Sequence, residues 1–107
     1  MTLQTKPNFG LKKEFVDQII QILREVKGLE KAVIFGSRAN NSYKVGSDID
    51  ICVFGKQIDE SEFNTLKFKL NEENVMPYFF DVIRFDDITT QHLKDEILAN
   101  GKDLIKL

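Results

Sequence analysis

Four residues carry the chemistry that this chain can be read for: Gly36-Ser37, then ten residues from Arg38 to Ser47, then Asp48 and Asp50 on either side of Ile49. A glycine that ends a strand lets backbone N–H groups approach an anion closely, and a serine beside it adds a hydroxyl donor, so the pair suits phosphate oxygens. Asp48-Ile49-Asp50-Ile51-Cys52-Val53-Phe54 opens with acidic and apolar residues in alternation. With a period of two, Asp48, Asp50, Cys52 and Phe54 share one side of a strand. Carboxylates held side by side repel, which raises the pKa of at least one of them; a divalent cation removes that cost. An oxygen-only set with phosphate as co-ligand suits Mg²⁺ better than zinc.

Two carboxylates leave a two-metal site short of ligands, and a third is expected from a neighbouring strand. Asp81 lies within Phe79-Phe80-Asp81-Val82-Ile83, where a buried carboxylate needs a partner or a metal. Asp86 and Asp87 compete for the role but fall at the strand's end, where turn and cap duties suffice. Set against this, an acidic pair alone could be a solvated strand start or edge protection. The preceding Gly36-Ser37 decides against that, because edge protection makes no demand on a turn. A calcium loop of the EF-hand type is excluded by Ile51-Cys52-Val53, which continues as strand, and there is no Walker-A loop.

The elements that must position these residues follow from periodicity. Phe15, Val16, Ile19, Ile20, Ile22, Leu23 and Val26 recur at helical spacing, so an amphipathic helix spans Leu11 to Val26, with Gly28 as its stop. Its broad apolar stripe would suit a partner surface as well as a core. Ala32-Val33-Ile34-Phe35 reads as a short buried strand and Asp48 to Phe54 as a second. Asp59-x-x-Glu62 resembles a capping box before a helix carrying Phe63, Leu66 and Leu70. Tyr78 to Arg84 reads as a third strand and Thr90 to Asn100 as a third helix, with Gly101 as its stop. The order α-β-β-α-β-α suggests an α/β (α+β) fold, a small mixed sheet covered by helices.

Composition narrows the classes. The 107 residues fit one domain, 1–107, with a single core, and 42% apolar against 30% charged is globular. Fifteen Lys and Arg against 17 Asp and Glu leave a net charge of −2, which argues against strong nucleic-acid binding. The single cysteine, Cys52, reads as a small buried hydrophobe, and His92 as a surface residue; together they make no structural zinc site. No apolar run approaches the ~20 residues of a membrane span, and a cytoplasmic protein is expected.

The pattern Gly36-Ser37, ten residues, Asp48-x-Asp50, with Asp81 on a later strand, resembles the signature of the polymerase-β-like nucleotidyltransferase superfamily. Phe35-Gly36-Ser37-Arg38-Ala39 and Ser47-Asp48-Ile49-Asp50-Ile51 are similar to the minimal nucleotidyltransferase domain of small prokaryotic proteins paired with a HEPN-type helical partner. The resemblance implies that Gly36 and Ser37 hold the triphosphate of ATP, that Asp48 and Asp50 bind two Mg²⁺ ions, and that Asp81 completes the catalytic one. In-line attack of an acceptor hydroxyl on the α-phosphorus would then expel pyrophosphate. The loop Asn40 to Val45 is less glycine-rich and less basic than the family pattern, leaving Arg38 and Lys44 as the phosphate-facing cations. Implied with the family is a hetero-oligomer with a co-encoded HEPN-type toxin, whose side-chain hydroxyl receives AMP. The alternatives are a binding-only antitoxin that masks its toxin, and a transferase acting on a small molecule through a helical partner.

Overall fold

In the computed structural model, which describes residues 9–73 and 76–107, the first helix, α1, runs Lys13–Arg24. Strand β1 (Lys31–Phe35) follows and passes through a 3-10 turn, Gly36–Arg38, and a loop into β2 (Ile49–Phe54). Helix α2 (Glu60–Asn71), strand β3 (Phe80–Arg84), a 3-10 turn at Phe85–Asp87, helix α3 (Gln91–Asn100) and strand β4 (Lys102–Lys106) complete the chain. The expected order holds through α3. A fourth strand follows where none was expected, because only Leu104 and Ile105 in Lys102–Lys106 are apolar.

The sheet order is β3-β2-β1-β4. β1 pairs antiparallel with both β2 and β4, and β2 pairs parallel with β3, so the sheet is mixed. β3 and β4 are therefore its edges. At the start of β3 the outward backbone groups of Phe80 are taken up by one side chain: Asn71 Nδ2 donates to the Phe80 carbonyl at 2.9 Å, and the Phe80 N–H donates to Asn71 Oδ1 at 2.8 Å. The asparagine imitates the strand that is missing there.

Alternation along the strands divides the core in two, not one as composition suggested. Ala32, Ile34, Ile49, Ile51, Val53, Phe80 and Val82 face α1 and α2, where Ile19, Leu23, Phe63, Leu66 and Leu70 meet them. Burying each large side chain of this set stabilises the fold by about 1.5–3 kcal/mol. The apolar stripe of α1 is used here: Ile19 and Leu23 are buried, and Phe15, Val16, Ile20 and Ile22 pack against the same cluster. On the opposite face Val33, Cys52, Ile88 and Ile97 form a smaller cluster with Leu93 of α3 beside it. Asp59 caps α2 by accepting the Glu62 N–H at 2.8 Å. The reciprocal arm of a capping box does not form, because the Glu62 carboxylate accepts the Lys27 N–H at 3.0 Å. Among the described residues no helix is long and apolar enough to cross a membrane.

Candidate active site

The chemistry-bearing residues gather at one end of the sheet, where β1 ends and β2 and β3 begin. Phe35, the last residue of β1, is the register partner of Asp50, and Asp50 in turn is the register partner of Asp81 on β3. Register partners in a sheet point to the same face, so both carboxylates lie on the α3 side. Asp48, two residues before Asp50, joins them just ahead of the strand. Helix α3 covers that face only further along, over Cys52. Cys52 is completely buried, and burial pushes its thiol up to about 12, so it serves as packing beneath the aspartates.

Gly36 makes the close approach possible. It adopts φ +75°, a conformation that L side chains rarely take, and a Cβ on it would overlap Asp50 Oδ2. The turn it opens continues through hydrogen bonds from the Asn40 N–H to the Gly36 carbonyl at 3.1 Å and from the Ser42 N–H to the Ser37 carbonyl at 2.9 Å. The loop closes where the Lys44 N–H donates to Ser47 Oγ at 2.8 Å and the Ser47 N–H to the Lys44 carbonyl at 3.0 Å.

Asp50 is half-buried, and its carboxyl is pushed up to about 6, by burial first and then by the charges of Asp81 and Asp48. Among the described residues no lysine or arginine forms an ion pair with any of the three. The donor set is thus three hard carboxylates with uncompensated charge, which fits a hard divalent cation such as Mg²⁺. Among the described residues no three metal-ligating side chains stand already closed around one point.

Three expectations change. Asp81 is exposed between the buried Phe80 and Val82, so the argument from burial that singled it out does not apply. β3 is an edge strand and its α3-side face is bare at this end; what brings Asp81 to Asp50 is register. Its competitors sit at the other end of β3, in the turn Phe85–Asp87, where Asp87 pairs with Arg84 Nε at 2.7 Å. Arg38, expected to face phosphate, is only 2% exposed and gives its N–H groups to backbone carbonyls, so it is not a phosphate-facing cation. Lys44 is exposed on the loop, and His92 is exposed in the first turn of α3. The partners of Arg38, Tyr43 and Tyr78 among them, were not foreseen; the signal available was that these are the chain's only two tyrosines, flanking the loop and β3.

A mixed sheet with helices on both faces thus carries an acidic trio beside a glycine-serine turn. The family described as "Polymerase beta, Nucleotidyltransferase" matches residues 17–106, and the chain belongs to it. It is 39% identical over 93 residues to a Methanocaldococcus jannaschii protein, MJ0435, whose name puts it forward as a protein adenylyltransferase; the match takes in 86% of this chain and 96% of that one. In fold it is similar to a chain from a toxin-antitoxin crystal structure with AMP-PNP, at TM-score 0.71 and 24% identity over 86% of this chain and 73% of that chain. A chain from the toxin-antitoxin MntA-HepT is similar at TM-score 0.67 and 22% identity, covering 90% of this chain and 74% of that one.

Proposed function

We propose that this nucleotidyltransferase uses Mg²⁺ and ATP to place AMP on a side-chain hydroxyl of a HEPN-type toxin encoded beside it, and that it is the cytoplasmic antitoxin of that pair. The observation that carries the reading is the register of Asp50 with Asp81, next to Asp48 and the Gly36-Ser37 turn. The name of the M. jannaschii relative and the toxin-antitoxin titles of the fold neighbours support the choice of acceptor.

Asp48, Asp50 and Asp81 would hold the metal, which supplies positive charge against the phosphates and acidifies the acceptor hydroxyl. Gly36 and Ser37 bind phosphate oxygens through backbone N–H groups and the serine hydroxyl, leaving the α-phosphorus facing the aspartates. Asp81, exposed and on the edge strand, orients the acceptor hydroxyl and accepts its proton. The hydroxyl oxygen forms the new bond to the α-phosphorus, the bond to the β-phosphate oxygen breaks, and pyrophosphate leaves. The proton passes from Asp81 to water.

The test is mass spectrometry of the co-encoded helical chain after incubation with this protein, ATP and Mg²⁺. The expected result is a gain of one AMP per modified hydroxyl, lost in Asp48→Asn with Asp50→Asn. If that double variant still neutralises the toxin at equal expression, masking explains inhibition and the enzymatic account of it fails. Modification of a small molecule alone would move the acceptor away from protein.

A further inference from the structure

Arg38 follows the glycine-serine turn directly, yet its side chain runs into the protein and is only 2% exposed. Nε and Nη2 donate together to the Ser47 carbonyl at 3.1 and 2.9 Å, and Nη1 donates to the Phe9 carbonyl at 2.8 Å. Its Cζ lies 5.1 Å from the centroid of the Tyr43 ring and 4.9 Å from that of Tyr78. Gly10, at φ +73°, leaves room for this arrangement: a Cβ there would overlap the Tyr43 ring. No carboxylate pairs with the guanidinium among the described residues. A charge taken out of water without a counter-ion needs compensation, and here carbonyl dipoles and two aromatic faces supply it.

Apart from the bond to Phe9, which ties in the lead to α1, these contacts lead to parts of the candidate site. Arg38 is bonded to Ser37; Ser47 is bonded to Asp48; Tyr43 belongs to the loop between them; Tyr78 lies in the approach to β3 and Asp81. We infer that Arg38 is a positioning residue, locking the Gly36-Ser37 turn, Asp48 and the lead-in to Asp81 into one arrangement without touching the nucleotide. The inference rests on the reading of those residues as a nucleotidyltransferase site. Lysine is no substitute here, since a point charge cannot fork onto one carbonyl, reach a second and stack between two rings.

The experiment uses the full chain and two variants, Arg38→Lys and Tyr78→Leu. Hydrogen exchange over residues 36–50 is expected to quicken about tenfold in both, with α2 unchanged, because local opening is separable from global unfolding. In AMP transfer to the helical partner, kcat is expected to fall about 100-fold, as for a misplacement of roughly 1 Å, while KM for ATP stays within about threefold. A raised KM with kcat retained would mean that Arg38 contacts the nucleotide, and would overturn the inference; so would unchanged exchange over 36–50. If Arg38→Lys does not fold, Tyr78→Leu carries the same readouts with the guanidinium and both carbonyls in place. If the unaltered chain transfers no AMP, the enzymatic reading fails, and exchange over 36–50 alone upholds or overturns the lock.

Discussion

The Asp50 carboxylate stands where a side chain on Gly36 would begin: a Cβ built on the glycine overlaps Oδ2 of the aspartate. Turn and acid are therefore one unit, and neither can be altered without moving the other. Gly36→Ala is expected to cost about 1–2 kcal/mol in urea denaturation through its positive φ. It is expected to lower AMP transfer about 100-fold by displacing Asp50. An alanine variant with full activity would show that the contact is dispensable.

The burial of Asp50, with the charges of Asp81 and Asp48 beside it, has a sign that stability measurements can read. Its folded pKa, about 6, lies above the ordinary 3.8, so the folded chain binds the proton more tightly than the unfolded chain. Stability from this group is full below about pH 4, falls as pH rises through the window from 3.8 to 6, and is absent above it. Asp50→Asn should thus raise Tm at pH 7.5 and leave it unchanged near pH 3.5. Asp50 is only half-buried and water screens the repulsion, so the gain is about 1 kcal/mol, or about 5 °C for a domain of this size. Thermal melts at the two pH values check it, and a Tm loss at pH 7.5 would refute it.

Protons and metal compete for the same oxygens. Mg²⁺ is expected to raise the Tm of the unaltered chain at pH 7.5, to do so much less at pH 5, and to have little effect on Asp50→Asn. Melts with and without Mg²⁺ at both pH values decide this, and equal shifts at pH 5 and 7.5 would place the metal elsewhere.

Asp81→Asn and Asp86→Asn compare Asp81 with one of its two competitors for the third acid. Removal of Asp81 is expected to lower transfer by about 100-fold or more, the range of a lost acid-base group. Asp86, exposed at the far end of β3, is expected to matter by no more than about twofold. Steady-state rates at saturating ATP give the comparison, and the reverse ranking would move the acid to the far end of the strand.

Asn71→Leu removes both hydrogen bonds that close the start of β3. Leaving the Phe80 backbone groups without them is expected to cost about 1–3 kcal/mol in urea denaturation, without loss of the helix content of α2.

The patterns that sequence reveals best are those set by a strict period. The alternation Asp48-x-Asp50 over Ile49 and Ile51 put the acids on one face and the apolar pair on the other, and the helical spacing from Phe15 to Val26 marked α1. What periodicity does not carry is which strand lies beside which. Asp81 was argued from burial, whereas it is exposed and meets Asp50 through parallel pairing of β2 with β3, a long-range fact. β4 was missed for a related reason: with two apolar residues in five it is held by its ladder with β1, not by its own composition. Arg38 was misread because an arginine in a polar loop normally stays in water. Here the far end of its own loop, at Ser47, and two segments distant in sequence, at Phe9 and Tyr78, supply its surroundings.

Among the described residues no element roofs the acidic corner. Asp48 and Asp81 are open to solvent, and Asp81 sits on a border strand with no further strand beyond it. A nucleotide seated there meets bulk water as readily as it meets an acceptor, so wasteful hydrolysis competes with productive transfer unless something shuts the water out. On the proposed reading, a protein acceptor would do that itself, lid and recipient at once, and selectivity for it would reside in the fit of that closure.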